Sequence, residues 1–207
     1  MTLAPNDNSA ANIIPGVIDI EPGDLVVDIG AHVGEFCHFA KLKGAGRIIA
    51  YEPAEAPFLE LKEIPGVEAI HAAVGVKDEV AEIFYNQDAT PASTRYWKND
   101  RCIPEFVNVV SFSSIIKQLG RIDFLKANCE GDERYFLPAL TDEELMCIKK
   151  MGVQWHLHDP NMDEHKAVMY DFLKRIDPMF HNKVTEDWGY NNIELGVVVT
   201  TFLAWQR

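Results

Sequence analysis

Residues 24–36 read DLVVDIGAHVGEF, an apolar run that stops at an acid, turns through two glycines and resumes. Leu25, Val26, Val27 and Ile29 have the near-continuous apolar character of a strand buried on both faces. Phe36, Phe39, Ala40 and Leu42 sit where a following helix would bury them. A strand over 24–29, a glycine-bearing loop and a helix over 33–43 form a common holder for a charged small molecule. Which molecule it holds decides most of the functional reading.

The alternation continues outward from this unit. RIIAYE (47–52) predicts a second strand, Ala54 to Glu63 a second helix, and VEAIHAAV (67–74) a third strand. EVAEIFY (79–85), VNVVSF (107–112), IDFLKAN (122–128) and GVQWHLH (152–158) read as further strands, and ELGVVVTTFLAW closes the chain as the last one. Helices are expected over 113–119, over DERYFLPAL and TDEELMCIKK (132–150), and over 162–176. The polar stretch from Asn86 to Glu105 is the longest loop candidate, and long loops in compact domains often act as lids. Alternating β and α implies a mainly parallel sheet with helices on both faces, whose ligands sit beyond the carboxyl ends of the strands.

Composition narrows the classes. The 207 residues are 47% apolar and 25% charged, ordinary for one α/β domain over 1–207 with residues 1–15 as a loose N-terminal extension. A formal net charge of −13 without any basic run argues against a nucleic-acid partner. Cys37, Cys102, Cys129 and Cys147 show no C-x-x-C spacing, so neither the common zinc patterns nor a disulfide framework is expected. The opening MTLAPNDNSA lacks the basic start and apolar core of a secretory signal, and no apolar run reaches the roughly 20 residues that span a bilayer. A cytoplasmic protein with no membrane partner is expected.

Three ligands compete for the glycine loop. A Walker loop needs a Lys after its second glycine, which is missing here. A dinucleotide fingerprint needs G-x-G-x-x-G, whereas Gly30-Ala31-His32-Val33-Gly34 has two glycines at G-x-x-x-G spacing. The better match is D-x-G-x-x-x-G, with Asp28, Gly30 and Gly34, whose backbone can approach the methionine part of S-adenosylmethionine. Glu52 ends the second strand, where a carboxylate can accept both ribose hydroxyls of an adenosine. Strand, loop, helix and Glu52 together favour the methyl donor over NAD.

At this point the chain resembles the FkbM-type S-adenosylmethionine-dependent methyltransferases, over about residues 24 to 140. The resemblance rests on DIGAHVGEF, IAYEPAEAPFLELKE, VEAIHAAVGVKDEVAEIF, VNVVSFSSII and IDFLKANCEGDE, in that order and spacing. It implies a Rossmann-like class I methyltransferase fold, mainly parallel with helices on both faces and an antiparallel C-terminal strand. It also implies O-methylation of a sugar, glycan unit or other small-molecule hydroxyl, with S-adenosylhomocysteine as product. By position, Asp28, Gly30, His32 and Gly34 would line the methionine end, Glu52 would hold the ribose, and Pro53, Ala73 and Val74 would border the adenine. Ser93 and Thr94 match a Ser-Thr pair of the family's middle loop. The chain departs from the family at His32, where Asn is usual. It departs again at Lys126-Ala127-Asn128-Cys129-Glu130-Gly131, where the family has K-[IV]-D-[VI]-E-G. Asn128 falls close to where donor and acceptor should meet and, unlike an acid, it cannot act as a base or an anionic metal ligand.

A hydroxyl acceptor benefits from a general base. Glu130 is the first acid candidate, with Lys126 beside it in the same block, and its competing role is that of a helix N-terminal charge. In WHLHDP (155–160), His156 and His158 share one face of a strand that ends at Asp159, and His158 is favoured as the functional one because His156 lies deeper. Glu130, His158 and Asp159 are residue types that could hold magnesium or manganese, but the missing acid at 128 argues against it and no metal is predicted. Tyr96, Trp97, Trp188 and Tyr190 suit either stacking on a sugar ring or a homodimer contact. A catalytically degenerate donor-binding protein is the second reading, and an NAD-dependent oxidoreductase the third.

Overall fold

The computed structural model describes residues 18–86, 92–94, 102–158, 160–185 and 197–207. The first half of the chain runs β1 (Leu25–Ile29), α1 (Glu35–Leu42), β2 (Arg47–Tyr51), α2 (Glu55–Leu61), β3 (Val67–Ile70), β4 (Ala73–Gly75), β5 (Glu79–Asn86) and β6 (Ala92–Thr94). Next come β7 (Cys102–Ser111), α3 (Phe112–Leu119), β8 (Ile122–Ala127), α4 (Glu133–Ala139) and α5 (Asp142–Leu145). The chain ends with β9 (Ile148–His158), α6 (Met162–Ile176), β10 (Phe180–Thr185) and β11 (Val197–Gln206).

Seven strands form a large sheet in the order β10-β11-β9-β8-β1-β2-β3. Pairing is parallel except at β11, which runs antiparallel to both β9 and β10. This is the Rossmann-like class I methyltransferase arrangement the sequence implies, with its antiparallel C-terminal strand. Leu25, Val27 and Ile29 face one core, with Ile115 of α3, Phe136 of α4 and Phe172 of α6. Val26 faces the other core, with Phe36 and Phe39 of α1 and Leu61 of α2, so β1 is covered on both sides. Trp155, Phe124 and Phe202 are fully buried, and each such side chain contributes roughly 1.5–3 kcal/mol by leaving water. The strand order reverses about β1, and beyond the strand ends at such a reversal, here past Ile29 and Ala127, α/β sheets form their ligand crevice.

Three expectations change. The strand expected over 67–74 is two strands: β3 ends the large sheet, and β4 joins a second sheet of order β4-β7-β5-β6. The reason is packing, since Ala73 joins Ala54, Ile83, Tyr85, Val107 and Val109 in a separate small core. The helix expected over TDEELMCIKK stops at Leu145, and β9 begins at Ile148. A capping box from Thr141 and Glu144 starts α5, but parallel pairing of Ile148 with Ile122 and of Lys150 with Phe124 outweighs local helix propensity. Lys150 is buried there, its ammonium bonding Asp24 Oδ2 at 3.0 Å and Asp19 O at 2.7 Å. Finally, β6 and β10 were not expected, and β7 begins at Cys102 rather than 107. Among the described residues no helix is long and apolar enough to cross a membrane.

Candidate active site

The loop after β1 is held by its neighbours on both sides. The N–H groups of Gly30 and Ala31 both donate to Tyr51 O at 3.0 Å, and Asn128 N–H donates to Ile29 O at 2.9 Å. Gly30 has φ +73°, and a Cβ there would lie 1.8 Å from Asn128 O. Gly34, φ +88°, caps α1, and a Cβ there would lie 2.2 Å from Ile64 Cδ1. Both glycines are therefore required by close approach as well as by a left-handed backbone.

Asp28 and Lys126 are paired across β1 and β8, and the structure places both beneath this loop. Asp28 is fully buried, and Lys126 Nζ lies 2.8 Å from its Oδ1 while donating to Gly30 O at 2.6 Å. Cys37 Sγ donates to Asp28 Oδ2 at 3.3 Å, and burial followed by the Asp28 charge pushes its thiol far up, so it stays a donor. Lys126, expected among the catalytic residues, is bonded to the loop after β1 and to Asp28. The pair can shape that loop without meeting the reacting atoms.

Glu52 lies at the end of β2, 4% exposed, with one backbone donor on each oxygen: His32 N–H at 2.8 Å and Ala54 N–H at 2.9 Å. Burial raises its carboxyl to about 7 despite those two donors. A carboxylate has about four acceptor positions, so capacity for a diol remains. His32 takes a left-handed φ of +52°, which turns its N–H to Glu52, and burial chiefly lowers its imidazole. Pro53 O receives His71 Nε2 at 2.9 Å, and the His71 ring stacks on Phe58 at 4.5 Å between centroids. Ala73 and Val74 are buried, Ala73 in the small core and Val74 in the large one. Tyr85 of β5 was not among the expected site residues. Burial first and then the Glu52 charge raise its phenol, and Tyr85 packs in the small core with Ala54, two residues past Glu52. Ser93 and Thr94 lie in β6, with Ser93 opposite Tyr85, but their side chains fall outside the described part of the structure.

Beyond β8 the chain turns sharply through Glu130, φ +56°, and Gly131, φ +118°, into α4. Asn128 Oδ1 is buried, and no described residue bonds to it. Glu133, fully buried at the start of α4, organises the rest. Its Oε1 accepts the backbone N–H of His156 at 2.7 Å and lies 3.0 Å from His156 Nδ1. Its Oε2 accepts Gly131 N–H at 2.9 Å and Cys129 Sγ at 3.2 Å. His156 Nε2 then stands 3.6 Å from Glu130 Oε2, whose side chain is 26% exposed. Burial works to raise the Glu133 carboxyl, but the charge and hydrogen bonds of His156 outweigh it and hold it far down. Burial likewise works to lower His156, and the Glu130 and Glu133 charges overcome it, holding the imidazole protonated to about 9. Arg134 Nη1 reaches His156 O at 3.3 Å and His165 Nδ1 at 3.4 Å from the far side.

Of the two histidines on β9, the structure thus brings His156 to Glu130. The His158 side chain, Asp159, and the aromatics Tyr96, Trp97, Trp188 and Tyr190 lie outside the described part. An imidazolium here hydrogen-bonds Glu133 through Nδ1 and faces Glu130 as a charge, and it offers no lone pair to a metal. Glu133 was missed by sequence reasoning, although two acids three apart where a helix begins, followed by a histidine-bearing strand, are a signal that could have found it.

The sequence pattern of the Methyltransferase FkbM domain family matches residues 28–191. The 31-O-demethyl-FK506 methyltransferase FkbM of Streptomyces tacrolimicus is 26% identical over 204 residues, covering 79% of this chain and 78% of the relative. The crystal structure of a methyltransferase FkbM from Methylobacillus flagellatus superposes with a TM-score of 0.61 at 14% identity, covering 95% of this chain and 47% of that one. The chain therefore spans just under half the length of that solved relative. An rRNA methylase from Streptococcus thermophilus shares the fold, with TM-score 0.52 at 11% identity over 92% of this chain and 90% of its own. The glycine loop, the turn at Glu130 and the buried Glu133–His156 pair all fall inside the matched span, and the chain belongs to the FkbM methyltransferase domain family, an S-adenosylmethionine-dependent methyltransferase by that membership.

Proposed function

We propose that this protein methylates a hydroxyl of a sugar, a glycan unit or another small molecule, with Glu130 as the base. When bound, S-adenosylmethionine supplies a methyl group activated by its sulfonium. The chain's residues fit such a donor. Gly30 and Gly34 leave the loop without side chains where a ligand would approach, Glu52 has acceptor capacity for the ribose, and Asn128 Oδ1 is a buried acceptor that an ammonium group would satisfy. Asp28 and Lys126 act on the donor through the loop they brace.

The single observation that carries the reading is the contact between the two loops. A Cβ on Gly30 would strike the carbonyl of Asn128, two residues before Glu130, so donor loop and candidate base share one crevice. Glu130 is partly exposed, on a left-handed turn just past β8, which suits its carboxylate to take the proton of an attacking hydroxyl. The relative from Streptomyces tacrolimicus acts, by its name, on 31-O-demethyl-FK506, a small-molecule oxygen acceptor. The net charge of −13 supports a small acceptor over RNA, while likeness to an rRNA methylase concerns the fold alone.

The test is calorimetric titration with S-adenosylmethionine, S-adenosylhomocysteine and NAD, followed by an acceptor screen that reads S-adenosylhomocysteine release. The panel holds monosaccharides, an oligosaccharide, a macrolide alcohol and an RNA oligomer. Micromolar binding of both adenosyl ligands without NAD, and turnover on a hydroxyl acceptor lost in Glu130→Gln, is the expected result. Turnover on RNA alone, or no adenosyl binding, would overturn the reading.

A further inference from the structure

The role assigned to Glu130 raises the question of what holds it. Glu130 sits on a strained two-residue turn, with φ +56° followed by φ +118° at Gly131, and such a turn does not fix a side chain by itself. Three contacts behind it converge on one buried carboxylate. Glu133 accepts Gly131 N–H at 2.9 Å, which fixes the turn. It accepts His156 N–H at 2.7 Å, which fixes the height of β9 against α4. It also stands 3.0 Å from His156 Nδ1, which leaves Nε2 of the same ring directed at Glu130, 3.6 Å from Oε2.

We propose that Glu133 and His156 form a buried positioning pair, in which Glu133 orients the imidazole through Nδ1 and the imidazole holds the Glu130 carboxylate through Nε2. This deepens the reading of Glu130 as base and rests on it. Glu133 and His156 are positioning residues, since they act through Glu130 and reach the acceptor only by way of it. The protonation of His156 is consistent with the pair: Glu130 and Glu133 face it as anions, and Arg134 from α4 and His165 from α6 lie on its far side. A neutral imidazole could hydrogen-bond Glu133 but would carry no charge to attract Glu130, whereas the imidazolium does both.

The test combines charge state with epistasis. Histidine-labelled protein is followed by nitrogen NMR, with His156 assigned by its loss in His156→Gln. The signal of a doubly protonated ring at pH 7.5 is expected in the wild type and its replacement by a neutral ring in Glu133→Gln. In parallel, Glu133→Gln should lower kcat 10- to 100-fold with S-adenosylhomocysteine affinity within threefold of wild type. The double variant Glu133→Gln/Glu130→Gln should be no slower than Glu130→Gln alone, because the pair acts only through Glu130. A neutral His156 in the wild type, or a double variant that loses the product of the two single losses, would overturn the proposal. Should Glu133→Gln fail to fold, the wild-type signal and the same cycle run with His156→Gln decide it. Protein that binds S-adenosylhomocysteine yet methylates no hydroxyl in the panel defeats the reading of the acceptor, and the wild-type histidine signal still decides the pair.

Discussion

Two buried acid–base pairs stand behind the two sides of the crevice, and they are built differently. Asp28–Lys126 joins neighbouring parallel strands in register, and its ammonium ends on the carbonyl of Gly30. Glu133–His156 joins the first turn of a helix to a strand, and its imidazole ends on the side chain of Glu130. The first therefore fixes main chain, which a donor would contact through the loop. The second aims a side chain, as the proposed proton transfer to Glu130 would require. The contrast teaches that the loop after β1 is braced as part of the sheet, while the turn after β8 depends on helix and strand being docked correctly.

Removing one partner from the first pair should produce the largest effect. Lys126→Met leaves the Asp28 charge buried without its cation, a change that costs about 3–5 kcal/mol in comparable cases. Urea unfolding should show that loss, and Asp28→Asn added to it should restore part of the stability. If Lys126→Met were as stable as wild type, the pair would not be holding β1 to β8 at all.

The second pair should show itself in pH. His156 has a folded value near 9, above the ordinary 6.5. A raised folded value means stability that is complete below the unfolded value and is lost as pH rises through the folded one. Unfolding free energy should therefore fall between about pH 6.5 and 9, by about 3 kcal/mol, and His156→Gln should flatten that slope. The first pair has no histidine and should leave no such trace. Absence of the slope in wild type would separate His156 from its two carboxylates.

The same difference explains what was legible in the sequence. The positions of Asp28, Gly30 and Glu52 at strand ends, and of Gly34 at the start of α1, could be read because each lies next to the turn that joins a short apolar strand to its helix, and local pattern suffices to place it. Glu133 could not, because its partner lies 23 residues away on a strand whose first residues look helical. Period two shows that His156 and His158 share a face but not which one α4 will touch. That choice is set by docking, which no local pattern records. The split of 67–74 between two sheets was hidden for the same reason: Ala73 and Val74 continue the apolar run of β3, and only the small core under Ala54 shows where they turn away.

On the donor side the pH signature belongs to affinity. Glu52 is raised to about 7 chiefly by burial, so at neutral pH it is close to half protonated. Ribose hydroxyls donate to the carboxylate form. S-adenosylhomocysteine should therefore bind more tightly as pH rises towards 7 and level off above it, with about tenfold weaker binding one unit below the midpoint. The same raised value takes stability from the free protein between about pH 4.5 and 7, since a group whose folded value is raised contributes fully only below its unfolded one. Glu52→Gln should remove both dependences, with weaker binding at pH 8. Calorimetry across pH 6 to 8 decides it, and an affinity indifferent to pH would mean that Glu52 does not meet the ribose.

The smallest effect on stability carries the sharpest contrast in function. Each loop holds one non-glycine residue at positive φ, His32 at +52° and Glu130 at +56°. A left-handed backbone costs an ordinary residue about 1–2 kcal/mol, and glycine escapes that cost while losing some chain entropy on folding. His32→Gly and Glu130→Gly should therefore each leave thermal stability within about 1 kcal/mol of wild type. Their kinetics should part. His32 meets Glu52 through its backbone N–H, which glycine keeps, so its loss should weaken S-adenosylmethionine binding modestly and leave kcat the less affected. In the proposed reaction Glu130 acts through its carboxylate, so Glu130→Gly should keep S-adenosylhomocysteine affinity and lose turnover by about 100-fold, the upper range for losing a general base being about 10⁴. Equal kinetic losses in the two variants would show that both strained residues only shape their loops, and that proton transfer belongs to another group.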